Sequence, residues 1–312
     1  MVTAVKRQPM GRKIYPYLYL LPGLLAMLVT TFIPAVVSVI LAFTNYSVLH
    51  LQDWRFIGLR NFEKIILGSK RAEFLGVFTW TVTWAILSTL LAFSTGLLLA
   101  LLLNNRKIKE RNLYRTVLIL PWAMPSTITI LTWAGLLNTS FGPINRILIQ
   151  LGFKAVPWLS HPSWVKVTCL IVNLWIGFPF MMTACLGALQ SISEELYDAA
   201  KIDGAGTWQL FRYVTFPLLR SATLPLLISS FAFQFTNFSV IYLLTGGGPY
   251  TNPGSLAGAT DLLATYMYKM AFASNDRDYA LAAANGILIF LIVGSLTVIN
   301  SWLTGAFKEV ER

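Results

Sequence analysis

A chain of 312 residues with 56% hydrophobic and only 12% charged residues carries about half the charge of a soluble domain, for which about 25% is typical. That balance, with a mean hydropathy of +0.64, excludes a disordered chain, a secreted disulfide scaffold and an ordinary soluble enzyme, and points to a lipid bilayer as solvent. The net charge of +11 would suggest nucleic acid in a soluble protein; here it fits the Lys and Arg that cytoplasmic loops collect, so no nucleic-acid partner is expected.

Six apolar runs reach the roughly 20 residues that a crossing helix needs: 16–44, 76–103, 114–137, 164–188, 218–245 and 280–306. They predict an all-α membrane protein with a tail at 1–15, a transmembrane domain at 16–306 and a second tail at 307–312. The first run follows Lys6, Arg7, Arg12 and Lys13, as in a signal peptide. It is too long for one and lacks a small-residue cleavage site, so it reads as a retained helix bent at Pro22 or Pro34. Between the second and third runs, Arg106, Lys107, Lys109, Arg111 and Arg115 crowd one short turn. The density of positive charge there places both termini in the cytoplasm, in a multi-pass protein of the cell (inner) membrane.

The fourth run holds both cysteines, Cys169 and Cys185. Their spacing is about 24 Å along a helix, too far to pair within it, and they read as small core residues. In the same run Asn173, Gly177 and Phe180 fall at i, i+4 and i+7. In the fifth, Ser230, Gln234, Asn237 and Ile241 share a helical face at i, i+4, i+7 and i+11, ringed by Phe231, Phe233, Phe235 and Phe238. Amides and hydroxyls suit sugar hydroxyls, and aromatic faces suit a pyranose ring. The alternative reading is a set of polar bonds between helices inside the bundle.

The loop 190–216 between these runs is the most informative segment. Ser191 and Glu194 have the spacing of a capping box. Glu194, Glu195, Asp198 and Lys201 form a polar side, Leu196, Ala199 and Ala200 a small or apolar one, and Gly204 and Gly206 stop the helix. A second stretch, 207–214, carries Trp208, Leu210 and Phe211. Either this is an ordinary interfacial helix-turn-helix, or its acids and its glycine turn receive a cytoplasmic partner. Further on, the glycines of 246–249 form a loop with no phosphate-binding pattern, and Leu262 to Phe272 reads as an interfacial helix with an aromatic belt.

Several chemistries are missing. No acidic residue falls within the six runs, which argues against proton-coupled transport. No G-x-x-x-x-G-K-[ST] loop is present for ATP. His50 and His161 lack metal-ligand neighbours, so no metal site is expected, and loop carboxylates such as Asp53 and Glu63 are all that a membrane transferase would have. The chain is expected to have no catalytic residues. A stand-alone channel or ion-coupled carrier is the rival from another class.

Asp198-Ala199-Ala200, Asp203-Gly204-Ala205, Phe211 and Phe216-Pro217 resemble the E-A-A…D-G-A…F…L-P signature of binding-protein-dependent ABC importer permeases, with Asp198 where Glu is usual. The segments NLWIGFPFMMTACLGALQSI (173–192), SFAFQFTNFSVIYLLTGGGP (230–249) and ATDLLATYMYKMAF (259–272) resemble the MalF-like, maltose/maltodextrin-type sugar permeases. The resemblance implies six transmembrane helices of the MetI-like type and alternating access. It implies coupling to the ATPase through Glu195, Asp198, Ala199, Ala200, Asp203, Gly204 and Ala205. It also implies sugar contacts at Asn173, Gly177, Phe180, Ser230, Phe233, Gln234 and Asn237, with Gln234 where Asn and Phe180 where Tyr are usual. The implied partners are a second homologous permease subunit, two ATP-binding subunits that hold ATP and Mg, an extracytoplasmic sugar-binding protein and membrane lipid. No cofactor is expected in this chain. Maltose or maltodextrin is the favoured substrate, with trehalose or another oligosaccharide as alternative. Relative to the longest members, no extra N-terminal helices are expected, and the first external loop (45–75) is short. The region 262–272 is expected to face the binding protein.

Overall fold

The computed structural model describes residues 10–303 apart from Arg106 and Thr251. Expectations that fall on residues 1–9, Arg106 and 304–312, the C-terminal tail among them, lie outside the described residues. The first run forms α1 (Met10–Met27), a π-helical turn (Leu28–Phe32) and α2 (Ile33–Ala42). Helix α1 starts at Met10, ahead of the expected boundary at residue 16. Pro22 does not end it; the irregular turn falls just before Pro34, whose ring removes a donor and crowds the preceding turn. From Tyr17 to Ile40 this helix is exposed along its length, so it presents an apolar surface suited to lipid or to another apolar helix. Its end is tied down by α3 (Arg60–Ile66): the buried Asn61 Nδ2 donates to the carbonyls of Ala42 at 2.9 Å and Thr44 at 2.7 Å.

The body is built on α4 (Arg71–Leu103) and, later in the chain, α8 (Pro162–Gln190), which pack along each other. Gly96 lies so close to Met181 and Met182 that a Cβ would come within 2.6 Å of the Met182 nitrogen, and the Cβ position of Gly177 faces Ala92 at 3.8 Å. Lys166 Nζ sits 4.5 Å over the Trp80 ring. These three pairs keep nearly the same sequence offset, so the helices run parallel, as the second and fourth spans of a six-span chain must.

The third run is not one straight helix. It forms α5 (Arg111–Ala123) and α6 (Ser126–Leu136), bent by 89° at Met124-Pro125. The residue before a proline is pushed out of the helical region, and Met124 is extended at φ −80°, ψ 144°. A short α7 (Pro143–Gln150) leads into α8. Among the described residues, five helices are long and apolar enough to cross a membrane, and six if the bent pair counts as one span.

The fifth run also departs from expectation. After α9 (Glu194–Ile202), helix α10 (Thr207–Gln209) passes through a π-helical segment (Leu210–Thr215) into α11 (Phe216–Phe235) without interruption. The helix therefore begins at Thr207, and it stops at Phe235. Asn237 Oδ1 accepts from Val240 N at 3.3 Å, which caps a new helix, α12 (Ser239–Thr245). The expected 218–245 span is thus two helices. The helix start in the 190–216 loop is capped by Ser193, whose hydroxyl accepts from Glu195 N at 3.3 Å; Ser191 instead donates to the carbonyl of Ala188.

Helix α13 (Leu263–Phe272) packs into the core: Leu263 and Tyr266 are buried, while Tyr268 is half-buried and Phe272 exposed. It packs against α14 (Tyr279–Leu303) and α4. A buried charge pair explains the position of the loop before it. Lys269 Nζ lies 2.6 Å from Asp261 Oδ2, with both side chains almost fully enclosed. Asp261 also accepts from Gly258 N and Thr265 Oγ1, and Lys269 sits over the Tyr250 ring. The carboxylate and the ammonium leave no room for a Cβ at Gly247, so the glycine loop 246–248 is a lid over this pair. Removing one partner of a buried pair costs about 3–5 kcal/mol, whereas removing both is often near neutral. Asp261→Asn or Lys269→Met should therefore lower thermal stability in detergent sharply, and the double substitution should recover most of the loss; equal losses in single and double variants would contradict this account.

Candidate functional site

A cavity of about 880 Å³ opens where α8 and α11 diverge, bounded also by α4 and the α5–α6 break. All seven residues singled out in the fourth and fifth runs, Asn173, Gly177, Phe180, Ser230, Phe233, Gln234 and Asn237, line it. The middle of α8 meets the C-terminal end of α11 there, not its middle, because α11 starts so much earlier than the apolar run suggested. Ile241, placed on the same face by spacing, lies instead in the core beyond the helix break. Of the four flanking phenylalanines, Phe233 and Phe238 face the cavity, while Phe231 and Phe235 pack in the core, Phe235 edge-on to Phe78.

Local hydrogen bonds fix the polar wall. Asn237 Nδ2 donates to Gln234 Oε1 at 3.2 Å while its carbonyl caps α12, so Asn237 both lines the cavity and holds the break in place. Asn173 is 4% exposed and its Nδ2 has no hydrogen-bond partner among the described residues. Phe233, at 70% exposure, stands free at the rim. Trp122 and Phe180 pair at 6.1 Å between ring centroids and add a second aromatic wall. Trp122, Met124 and Ser126 belong to the site only because Pro125 bends the third run; a straight helix would have carried them elsewhere. No ionisable side chain lines the cavity among the described residues. Its chemistry is that of amides, hydroxyls and ring faces, which suits a neutral, hydroxyl-rich solute.

The 190–216 segment forms a second, separate surface. Glu195, Asp198, Ala199, Asp203 and Gly204 are exposed, and Ala200 and Ala205 half-buried. Helix α9 ends in a glycine turn: Gly204 takes φ +82°, its N–H reaches Lys201 O at 3.0 Å, and Ala205 N–H reaches Ala200 O at 2.9 Å. This is the pairing in which a left-handed residue satisfies the last carbonyls of a helix. The space around the Gly204 Cβ position is open, so in this chain the backbone angle, not crowding, requires glycine. Asp198 and Lys201 pair at 2.9 Å on the exposed face. Around them Ile202 is 87% exposed and Trp208 and Tyr213 more than 70%, an apolar patch of the kind that marks a protein contact.

A helical bundle whose cavity is lined by no ionisable side chain among the described residues, with an exposed apolar helix-turn, is an arrangement that suits a membrane permease subunit. Residues 92–308 match the family described as "Binding-protein-dependent transport system inner membrane component", and the chain belongs to this family of ABC importer permeases. It is 39% identical over 95% of its length to the galactooligosaccharides transport system permease protein GanP of Bacillus subtilis (strain 168), covering 71% of that protein. It is 38% identical, again over 95%, to the maltodextrin transport system permease protein MalC of Streptococcus pneumoniae serotype 4, covering 69% of it. Against the maltose/maltodextrin transport system permease protein MalF of Vibrio vulnificus the identity is 46% over 78% of this chain, but only 47% of that protein is spanned. Among solved structures, a bacterial ABC transporter involved in the import of the acidic polysaccharide alginate matches with a TM-score of 0.73 and 25% identity, over 95% of this chain and 98% of that one.

Gly177 tests the cavity wall directly. Its Cβ position has only Ala92 near it, at 3.8 Å, so alanine fits and a longer side chain must project into the cavity. Gly177→Leu is expected to insert and fold normally but to lower solute uptake by an order of magnitude or more, with Gly177→Ala costing less. Equal uptake in the wild type and the Leu variant would show that no solute passes this wall.

Proposed function

We propose that this chain is the sugar-conducting permease subunit of an ATP-driven importer, moving maltose, maltodextrin or a related neutral oligosaccharide by alternating access. The cavity carries the reading: amides, hydroxyls and four aromatic rings, Trp122, Phe180, Phe233 and Phe238, with no ionisable side chain among the described residues. The relatives named for maltodextrin and galactooligosaccharides support a neutral sugar. The solved transporter quoted above is involved in the import of an acidic polysaccharide, whereas among the described residues this cavity offers no basic side chain to such a charge. Trehalose and other oligosaccharides remain in the substrate class.

In this reading the chain pairs with a second, homologous permease, for which the exposed first helix offers apolar surface. Two ATP-binding subunits, which hold ATP and Mg, dock on the 190–216 segment through Ile202, Trp208 and the exposed face of α9. An extracytoplasmic sugar-binding protein delivers the substrate to the other side. Both termini face the cytoplasm. Helix 207–235 supplies the transmission: the segment carrying Trp208 and the segment carrying Ser230 and Phe233 are one continuous helix, so a displacement at the docking end is felt at the cavity. Tyr197 OH lies 3.0 Å from Thr215 Oγ1, which ties α9 to the base of that helix.

Reconstituted with its partner subunits, the importer should take up maltotriose or a galactotriose with ATP hydrolysis, and not an oligouronate; uptake of the oligouronate alone would reject the substrate class. Ile202→Glu places a charge in the exposed apolar patch without touching the core. The subunit should insert with normal yield but lose co-purifying ATP-binding subunits and sugar-stimulated ATPase activity. Retention of both would remove the docking role from α9.

A further inference from the structure

The two helices that the sequence singled out for solute contact do not supply the whole polar wall. Helix α4 contributes Thr89, which lines the cavity, is 5% exposed, and has a hydroxyl with no hydrogen-bond partner among the described residues. On the same helix Thr79, Thr81 and Thr83 each donate to the carbonyl four residues back; Ser88 is buried and unpaired like Thr89, but of the two only Thr89 lines the cavity. A buried hydroxyl ordinarily finds such a partner, because leaving it unpaired is costly. The contact of Ala92 with Gly177 sets the register of the parallel pair. One turn back along each helix from that contact lie Thr89 and Asn173. They sit at the same level, and Asn173 Nδ2 is likewise unpaired.

We infer that Thr89 is a substrate-contacting residue, and that its hydroxyl and the Asn173 amide together receive hydroxyl groups of the sugar at the buried wall of the cavity. The inference rests on the reading of this cavity as the sugar path. The complementarity is direct: Asn173 Nδ2 donates to a sugar hydroxyl oxygen, and Thr89 Oγ1 accepts a sugar hydroxyl proton or donates its own. The rim residue Phe233 offers only a ring face, so the rim selects for a sugar ring while the deep pair reads its hydroxyl positions. A site built to bond a particular hydroxyl discriminates strongly against a ligand that cannot supply it, since its own polar groups are then stranded.

The test uses the complete importer in proteoliposomes, with maltotriose and a galactotriose as probes, and uptake expressed per assembled complex. Thr89→Val keeps the shape and removes the hydroxyl; Thr89→Ser keeps the hydroxyl. Uptake in Thr89→Val should fall about ten-fold, the scale of one lost hydrogen bond, and Thr89→Ser should restore most of it. Phe233→Ala is run alongside as a rim variant. If Phe233→Ala impairs uptake while Thr89→Val matches the wild type, the Thr89 contact is overturned and the sugar path stands. If neither changes uptake, or the wild-type complex takes up neither probe, the sugar-path reading falls and the inference with it. If Thr89→Val loses assembled complex and Thr89→Ser does not, while the uptake of what assembles is normal, the hydroxyl is structural and the inference fails.

Discussion

The close parallel packing of α4 and α8 is the contact on which the rest depends. In a bilayer the lipid tails are as apolar as the helices, so burial alone does not hold two helices together; small residues that let backbones approach do. Gly96 against Met181 and Met182 supplies that approach. Near it, Ala92 and Gly177 leave only light contact, and the pair opens toward α11. The same register that closes the pair at one level thus makes the wall of the cavity at another.

Breaks in helices complete the site. A backbone group freed inside a bundle must find another partner, so a break persists only where the surrounding structure satisfies it. Met124-Pro125 turns the third run by 89° and brings Trp122 and Ser126 to the cavity. Asn237 ends the fifth run and starts α12, with its carbonyl on Val240 N and its amide on Gln234. Both breaks border the cavity, to which they bring Met124, Ser126, Asn237 and Ser239.

The family signature and the cavity share one helix. The π-helical segment 210–215 joins Thr207–Gln209 to α11 without a loop, and the Tyr197–Thr215 contact keeps α9 attached to it. The Asp261–Lys269 pair and the Tyr266 OH–Glu73 bond at 2.7 Å hold α13 and its loop against α4.

The sequence by itself determined the solvent, the helical class and the family. Apolar run length reports the bilayer whatever the packing, and the signature from Asp198 to Pro217 is local, so both are legible in one dimension. Spacing also placed Asn173, Gly177 and Phe180 on one helical face, because that run stays regular through Pro179. It failed where regularity fails: Ile241 left the polar face at the Asn237 break, the third run bent at Pro125, and Ser193 rather than Ser191 capped α9. Trp122 and Thr89 carried no local signal, since an indole and a hydroxyl in an apolar run read as ordinary membrane residues. Nothing in the sequence marked Asp261 and Lys269 as partners. Only the tertiary structure decided that these two bury each other and that Thr89 meets the level of Asn173: the first needs the Gly247 loop closed over the pair, the second the register between α4 and α8, and periodicity encodes neither.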